Sequence, residues 1–289
     1  MVSKKLIIVL GPTAVGKTDY SIDLALKYGS PVISCDSRQI YREMTIGTAV
    51  PSKEQLAAVR HYFIQTKSVT DYYTAGKYEI EALALIRELF SQGHDTLVMT
   101  GGSMFYIDAV CNGIPDVPEA DPELRARLTR RIKEEGPLNV AEDLKELDPE
   151  AYRSIDRSNG MRVLRGLEVC LGTGKPFSSF ARTQPRERDF QIEKIGISRP
   201  REELYRRIDA RVDQMFRDGL IKEVRSLTQF RNLTALNTVG YKEVFTYLDN
   251  PDTVSLDQTI ALVKQDTRHY AKRQMTWWRR DGDIRWINL

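Results

Sequence analysis

The chain has 289 residues, 41% of them hydrophobic and 29% charged, an ordinary balance for a soluble globular protein with one large domain or one domain plus an insertion. Its 43 Lys and Arg against 40 Asp and Glu leave a formal charge of +3, too little to mark a nucleic-acid binder by net charge alone. Cys35, Cys111 and Cys170 match no disulfide framework or zinc spacing, and His61, His94 and His269 make no metal-ligand pair at helical spacing, so reduced thiols and no such metal centre are expected.

Leu6–Leu10 is a continuous apolar, β-branched run ending at Gly11-Pro12, the pattern of a buried parallel strand. It is too short for a signal peptide, and no stretch approaches the about 18 apolar residues of a membrane span, so a cytoplasmic protein is expected. A helix is predicted from Thr18 to Tyr28, a short strand at Val32–Cys35, and a helix over Tyr78–Gln92 closed by Gly93. Thr96–Thr100 reads as a third buried strand that Gly101-Gly102 turns into a helix near Ser103–Cys111. This alternation predicts an α/β fold with a P-loop, doubly wound parallel sheet at its core. At Ile114-Pro115-Asp116-Val117-Pro118 the text becomes helical and charged, with Asp121-Pro122 as a helix start. Gln191–Ile197 returns to strand character, followed by long helices over 200–230 and 256–279 and a last strand at Asp283–Ile287. The expected organisation is a first part of the core at 1–115, a helical insertion domain at 116–160, and the remainder of the core with basic C-terminal helices at 161–289.

Gly11-Pro12-Thr13-Ala14-Val15-Gly16-Lys17-Thr18 fits G-x-x-x-x-G-K-[ST], the loop that binds the phosphates of ATP and other nucleotides, between a strand and a helix as that loop requires. Glycines let the backbone wrap a phosphate, and the helix N-terminus adds favourable partial charge. Lys17 would hold the distal phosphate and the Thr18 hydroxyl would ligate magnesium. A nucleotide hydrolase usually carries a second acid at the end of a neighbouring strand, yet Met99-Thr100-Gly101-Gly102 has none. The strand-end acid is instead Asp36, which the sheet rule points at the ligand crevice as a base or magnesium partner, or which serves as a turn residue.

Near the C-terminus Lys264, Arg268 and Lys272 share one helical face, and Arg273, Arg279, Arg280 and Arg285 follow among His269, Tyr270, Trp277, Trp278 and Trp286. Such a surface suits an RNA backbone and unstacked bases, or is a solvated helix whose tryptophans belong to the core. Arg125, Arg127, Arg130, Arg131 and Lys133 carry the same two readings. Composition leaves both open.

Together these segments resemble the tRNA dimethylallyltransferases, also called tRNA isopentenyltransferases. The phosphate loop beginning Gly-Pro-Thr, Asp36-Ser37-Arg38-Gln39-Ile40-Tyr41, Ile46-Gly47-Thr48-Ala49 and Gly101-Gly102-Ser103-Met104-Phe105-Tyr106 carry the likeness, in the family's order. Arg165-Gly166-Leu167-Glu168-Val169, Val239-Gly240-Tyr241 and Ala271-Lys272-Arg273-Gln274-Met275-Thr276-Trp277 complete it over nearly the whole chain. The resemblance implies transfer of a dimethylallyl group from dimethylallyl diphosphate to the exocyclic amine of an adenosine beside the anticodon, in a base turned out of its stem-loop. It implies Asp36 as general base, Thr13 beside the leaving oxygen, and Lys17, the Gly11–Thr18 loop, Arg211 and magnesium on Thr18 around the diphosphate. Asp36, Ser37, Arg38, Gln39, Ser103, Arg162, Arg165, Lys272, Arg273 and Gln274 match positions that hold tRNA. The chain departs from the family at Val50, at Asn159-Gly160-Met161 before Arg162, and at Ser103, where lysine, an Asp-Pro-Gln segment and threonine are usual. The implied partners are the tRNA anticodon stem-loop and dimethylallyl diphosphate; no membrane partner and a monomer are expected besides. Alternatives are an isopentenyltransferase acting on free adenine nucleotides, a P-loop small-molecule kinase, and a non-catalytic RNA-binding protein that keeps a nucleotide pocket.

Overall fold

The computed structural model of the protein describes residues 4–115, 117, 121–180 and 186–289; Asp116 and Pro118, in the stretch expected to open the insertion, lie outside them. In chain order the elements begin β1 (Lys5–Leu10), α1 (Lys17–Tyr28), β2 (Val32–Ser34), α2 (Lys53–Ala58), β3 (His61–Tyr62), α3 (Ala75–Ser91), β4 (Thr96–Gly101) and α4 (Met104–Asn112). The helices α5 (Pro122–Glu135), α6 (Pro137–Val140), α7 (Asp143–Leu147), α8 (Pro149–Ser154) and α9 (Gly160–Thr173) follow. The chain ends with β5 (Gln191–Ser198), α10 (Arg201–Arg217), α11 (Leu220–Ser226), α12 (Tyr241–Asp249), α13 (Leu256–Trp278) and β6 (Ile284–Asn288). It divides into two compact units, Met1–Asn112 with Arg186–Leu289, and Gly113–Pro185.

The first unit is built on a parallel six-stranded sheet in the order β3-β2-β4-β1-β5-β6. β1 lies between β4 and β5, and each of Leu6 to Leu10 is at most 2% exposed. Side chains alternate across a strand, so Leu6, Ile8 and Leu10 meet α3 and α4 through Ile86, Leu89 and Val110. Ile7 and Val9 point to the opposite face, where Ile22 and Ala25 of α1 and Leu204 and Ile208 of α10 cover them. Both faces need apolar residues for that reason, and the doubly wound α/β architecture expected from the sequence results. Among the described residues, no helix is long and apolar enough to cross a membrane.

Several elements differ from the sequence expectation, among them α2 and α12, which the sequence reading did not include. The single helix over 200–230 is two helices, because Gly219 adopts φ 102° and starts α11 in a new direction. The short β3, unpredicted, pairs beside β2 through Val32–His61 and Ile33–Tyr62. Two residues carry too little periodicity to be read as a strand.

The second unit has its own core: Leu124 and Leu128 of α5, Leu144 of α7, and Val163, Leu164 and Leu167 of α9. Its boundaries therefore differ from the 116–160 of the sequence reading, since α9 supplies half of that apolar contact. A Cβ on Gly166 would lie 3.2 Å from Leu144, so glycine permits the close packing of α9 on α7. Glu168, 2% exposed, is held by Arg125 at 2.8 Å and approached by Arg165 at 3.6 Å. The Arg-Gly-Leu-Glu-Val motif is in large part a packing and ion-pair motif of this unit.

A third core of the first unit joins the 40–49 segment to α11 and α12 through Ile40, Met44, Leu220, Tyr241 and Val244. Glu223 of α11 accepts from the backbone N–H groups of Thr45 (3.0 Å), Ile46 (2.7 Å) and Gly47 (3.0 Å), and from the Tyr241 hydroxyl at 2.6 Å. A Cβ on Gly47 would lie 2.5 Å from the Tyr241 ring, so glycine permits the close approach of that ring. Replacing Glu223 by leucine leaves three backbone donors unpaired, and is expected to lower unfolding free energy by about 2–4 kcal/mol. Denaturant unfolding of Glu223→Leu against the parent chain measures it.

Candidate active site

The Gly11–Thr18 loop leaves the carboxyl end of β1, flanked by the carboxyl ends of β4 and β5, where ligand crevices of open parallel sheets form. Its shape depends on backbone that side chains resist. Gly11 has φ 150°, and a Cβ there would lie 2.6 Å from the Ile197 carbonyl oxygen; Ala14 is held at φ 64° and Gly16 at φ 106°. The loop carbonyls are tied from outside. Arg207 Nε donates to Ala14 O and Arg199 Nε to Val15 O, each at 2.8 Å, while Lys17 Nζ donates to Gly11 O and Pro12 O, both at 2.8 Å. In a trans peptide the N–H points opposite to the C=O, so fixing Val15 O against Arg199 turns the Gly16 N–H away from that arginine. Gly16 caps α1 without a side-chain bond, which leaves the first-turn amides of a 12-residue helix open to an anion.

Charge agrees with that geometry. Lys17, Arg207 and Arg211 face one cavity against the carboxylates of Asp19 and Asp36. Burial, and then Arg211, push the Lys17 ammonium down to about 8 although Asp36 favours its charge. Arg211 is likewise lowered by burial and then by Arg207, and among the described residues it has no carboxylate partner. Three cations against two carboxylates, with Lys17 and Arg211 lowered by burial and by a neighbouring cation, suit a polyanion. Cys35, fully buried behind it, has its thiol raised well above the usual range by burial and then by Asp36, so it stays neutral.

Asp36 follows the end of β2. Its Oδ1 accepts from Arg38 N at 2.8 Å and Gln39 N at 3.2 Å, the turn role weighed in the sequence, while Oδ2 has no hydrogen-bond partner among the described residues. One carboxylate thus does both things: one oxygen holds the turn and the other remains a free acceptor. Gly101 permits the close approach of β4, since a Cβ on it would lie 2.6 Å from Cys35 backbone.

Two cavities meet here. The first, 370 Å³, is lined by Thr13 to Asp19, Ser52, Gln55, Arg207 and Arg211 and holds the loop. The second, 580 Å³, is lined by Arg38, Tyr41, Tyr73, Phe105, Tyr106 and Arg273 among others. Thr13, Asp36, Thr48, Ala49, Arg211 and Tyr270 belong to both. The first is cationic and phosphate-like in its lining, the second aromatic and wider. At their junction stand a free carboxylate oxygen, the Thr13 hydroxyl, a guanidinium and a phenol; burial and then Asp36 raise the Tyr270 pKa, so its hydroxyl keeps its proton and donates to Gly102 O at 3.3 Å. Val50, a point of departure from the family pattern, stands in the wall of the first cavity.

The residues expected to hold tRNA separate into groups. Ser37, Arg38, Ser103 and Arg273 line the wider cavity, with Ser103 Oγ accepting from Ser37 N at 2.7 Å. Lys272 is exposed and lines a separate 260 Å³ pocket with Pro12, Arg199 and Arg279. Gln39 donates through Nε2 to Thr48 O (3.1 Å) and Ala49 O (2.9 Å), so its amide holds the 48–49 turn. Gln274 is only 1% exposed, and both ends of its amide are bonded inside the protein. Arg162 and Arg165 belong to the second unit, where Arg162 is exposed and Arg165 turns to Glu168.

The basic helix is also less basic than its sequence. Lys264 pairs with Asp213 at 2.7 Å and Arg268 with Asp209 at 2.6 Å, so two cations of the i, i+4, i+8 face join α13 to α10. Trp278 is buried in the core, and Trp277 donates to Asp108 at 3.1 Å with Phe105 edge-on at 5.0 Å. Lys272, Arg273, Arg279 and Arg280 are the exposed cations of its C-terminal half. Sequence reasoning did not single out Arg207 or Arg199, and it named Tyr270 only as an aromatic of the basic C-terminal surface. Arg207 stands one helical turn before Arg211, a spacing that could have revealed it. Arg199, brought from the end of β5, left no local signal.

A family model described as IPP transferase matches residues 39–281. The chain is 52% identical over 283 residues to "tRNA dimethylallyltransferase 2" of Porphyromonas gingivalis, covering 98% of this chain and 93% of that one. It is 49% identical over 288 residues to "tRNA dimethylallyltransferase 1" of Bacteroides fragilis, covering 100% and 95%. Among solved structures it resembles the tRNA isopentenylpyrophosphate transferase of Bacillus halodurans, with TM-score 0.69 and 34% identity over 99% of this chain and 90% of that one. It also resembles a eukaryotic dimethylallyltransferase acting on tRNA, with TM-score 0.81 and 26% identity over 99% and 74%. The chain belongs to the IPP transferase family, the tRNA dimethylallyltransferases.

Proposed function

We propose that this enzyme transfers a dimethylallyl group from dimethylallyl diphosphate to the exocyclic amine of an adenosine next to the anticodon in tRNA. The observation that carries the reading is the junction of two chemically different cavities at Thr13, Asp36, Arg211 and Tyr270. The cationic cavity suits the diphosphate, and the wider aromatic one suits an adenine turned out of its stack.

In this reading the adenine amine attacks the first carbon of the dimethylallyl group. The carbon–oxygen bond to the diphosphate breaks, and its electron pair leaves with that oxygen. Asp36 Oδ2 takes the proton that the alkylated nitrogen must lose. Lys17, Arg211 and the amides of the α1 first turn meet the charge that grows on the diphosphate, and the Thr13 hydroxyl lies on the side of the leaving oxygen. No water has to be activated, which agrees with the absence of an acid at the end of β4. Among the described residues no three His, Cys, Asp or Glu side chains gather as a metal site. A hydroxyl such as that of Thr18, lining the loop cavity, fits magnesium, which takes few protein ligands and completes its shell with substrate phosphates and water. Bound there, magnesium would neutralise part of the diphosphate charge. A nucleotide such as ATP carries like phosphates and would occupy the same loop. We propose a monomer acting in the cytoplasm.

The decisive experiment incubates the protein with dimethylallyl diphosphate, magnesium and unmodified tRNA, and weighs the digested nucleosides. The expected product is an adenosine heavier by one dimethylallyl group, formed far faster on an anticodon stem-loop than on AMP. Equal rates on AMP would favour the free-nucleotide enzyme, and a phosphorylated product a kinase.

Asp36→Asn removes the proton acceptor while keeping the side-chain oxygen that caps the turn. Single-turnover rates are expected to fall about 10²–10⁴-fold with donor affinity largely retained. A fully active variant would remove Asp36 from the chemistry.

The Lys17 pKa of about 8 also predicts a pH dependence. An anion in the loop stabilises the ammonium and raises that pKa, so above pH 8 binding must take up a proton. Donor affinity should be flat below pH 8 and weaken above it by up to about tenfold per unit. Calorimetric titrations with dimethylallyl diphosphate from pH 7 to 9.5 measure the slope, which Lys17→Met should abolish.

A further inference from the structure

Gln274 lies on α13 between cations that face solvent, and its own environment is the reverse of theirs. It is 1% exposed, its Oε1 accepts from Thr13 N at 2.9 Å, and its Nε2 donates to Gly102 O at 2.8 Å. The fit is close: a Cβ on Gly102 would lie 2.5 Å from Gln274 Nε2, so the glycine turn after β4 and this glutamine require one another. An amide that reads RNA must offer its donor and acceptor to the ligand. Here both are consumed within the protein, and uncovering them would leave a buried amide and a buried carbonyl unpaired.

The second observation concerns Lys17. Its ammonium holds Gly11 O and Pro12 O at 2.8 Å, but the same ammonium is the group that a diphosphate would draw to itself. Once it turns to the anion, those two carbonyls lose their side-chain donor. Among the described residues, the remaining side-chain hydrogen bond on Gly11, Pro12 and Thr13 is then the one from Thr13 N to Gln274. Its neighbours Lys272 and Arg273 are exposed, and Arg273 lines the wider cavity, so one helix segment touches both the donor loop and the acceptor side.

We infer that Gln274 is a positioning residue for the transfer reaction: it holds the entrance of the donor loop against the Gly101-Gly102 turn while Lys17 engages the diphosphate, and it does not contact tRNA. The inference rests on the reading of the loop cavity as the donor site. Gln274 acts through Thr13, whose hydroxyl and backbone must stay aligned with the leaving oxygen, and it places that alignment under the control of the helix that bears the exposed cations.

The experiment compares Gln274→Met, similar in length and without the hydrogen bonds, with the double variant Lys272→Ala/Arg273→Ala. Three quantities are measured at pH 7.5: the dissociation constant of inorganic diphosphate by calorimetry, that of an unmodified anticodon stem-loop, and the single-turnover rate at saturating stem-loop. Gln274→Met should weaken diphosphate binding about tenfold, the worth of one good hydrogen bond to a strained loop, with a similar loss of rate. Its stem-loop affinity should stay within about twofold, whereas the double variant should show the opposite pattern, with weaker stem-loop binding and unchanged diphosphate binding. Weaker stem-loop binding by Gln274→Met with diphosphate binding intact would overturn the inference, as would no change in either. Should Gln274→Met not fold, Gln274→Leu serves in its place, because it too removes both hydrogen bonds without adding charge; the same pattern is expected and the same results overturn it. Parent protein that binds diphosphate but transfers no prenyl group would defeat the proposed reaction instead, and the diphosphate comparison would still decide the role of Gln274.

Discussion

The Gly11–Thr18 loop exists in its observed shape because its carbonyl oxygens are tied off by its own Lys17 and by two arginines from elsewhere in the fold. A backbone with Ala14 at φ 64° and glycines at φ 150° and 106° has no intrinsic reason to hold that path. Arg199, Arg207 and Lys17 supply the donors, and Gln274 supplies the acceptor for the one amide bonded from the side. What is left without a side-chain partner is positive: the first-turn amides of α1 and Arg211. The cavity around the loop therefore keeps an excess of positive groups over the carboxylates of Asp19 and Asp36 that line it.

The same economy separates donor from acceptor. Asp36 spends one carboxylate oxygen on the turn that carries Ser37 and Arg38 and leaves the other at the junction of the two cavities. Gly47 and Tyr241 are matched in shape, and Glu223 gathers three amides of the 45–47 turn, so the wall shared by the cavities is anchored to α11 and α12. Motifs that look functional in a linear reading are in several places the joints of this wall. Glu168 with Arg125, and Gly166 against Leu144, show the same in the second unit.

The basic C-terminal helix illustrates how charge in sequence misleads about charge in space. Lys264 and Arg268 lie on the predicted face, but α10 presents Asp209 and Asp213 to that face, and the pairs bind helix to helix. Cations free for RNA remain beyond them, at Lys272, Arg273, Arg279 and Arg280. The tryptophans of this segment divide likewise: Trp278 fills the core, and Trp277 stays at its edge between Phe105 and Arg280.

From its sequence alone, this protein's glycine-rich loop between strand and helix, its strand-helix alternation and Asp36 as the strand-end acid are all determined, because each depends on residues near one another in the chain. An eight-residue loop between an apolar strand and a helix needs no distant partner to be recognised, and apolar runs bounded by glycine mark parallel strands buried on both faces. Resemblance over nearly the full length added the family. Tertiary structure alone decided which groups are spent and which are free. Gln274 is 261 residues from Thr13 in sequence, and no local pattern says that its amide will close on that N–H. Arg199 and Arg207 reach loop carbonyls across 184 and 193 residues. The break at Gly219 and the inclusion of α9 in the second core likewise follow from packing, because helix direction and burial are set by what lies across the interface, which periodicity along one strand of text does not contain.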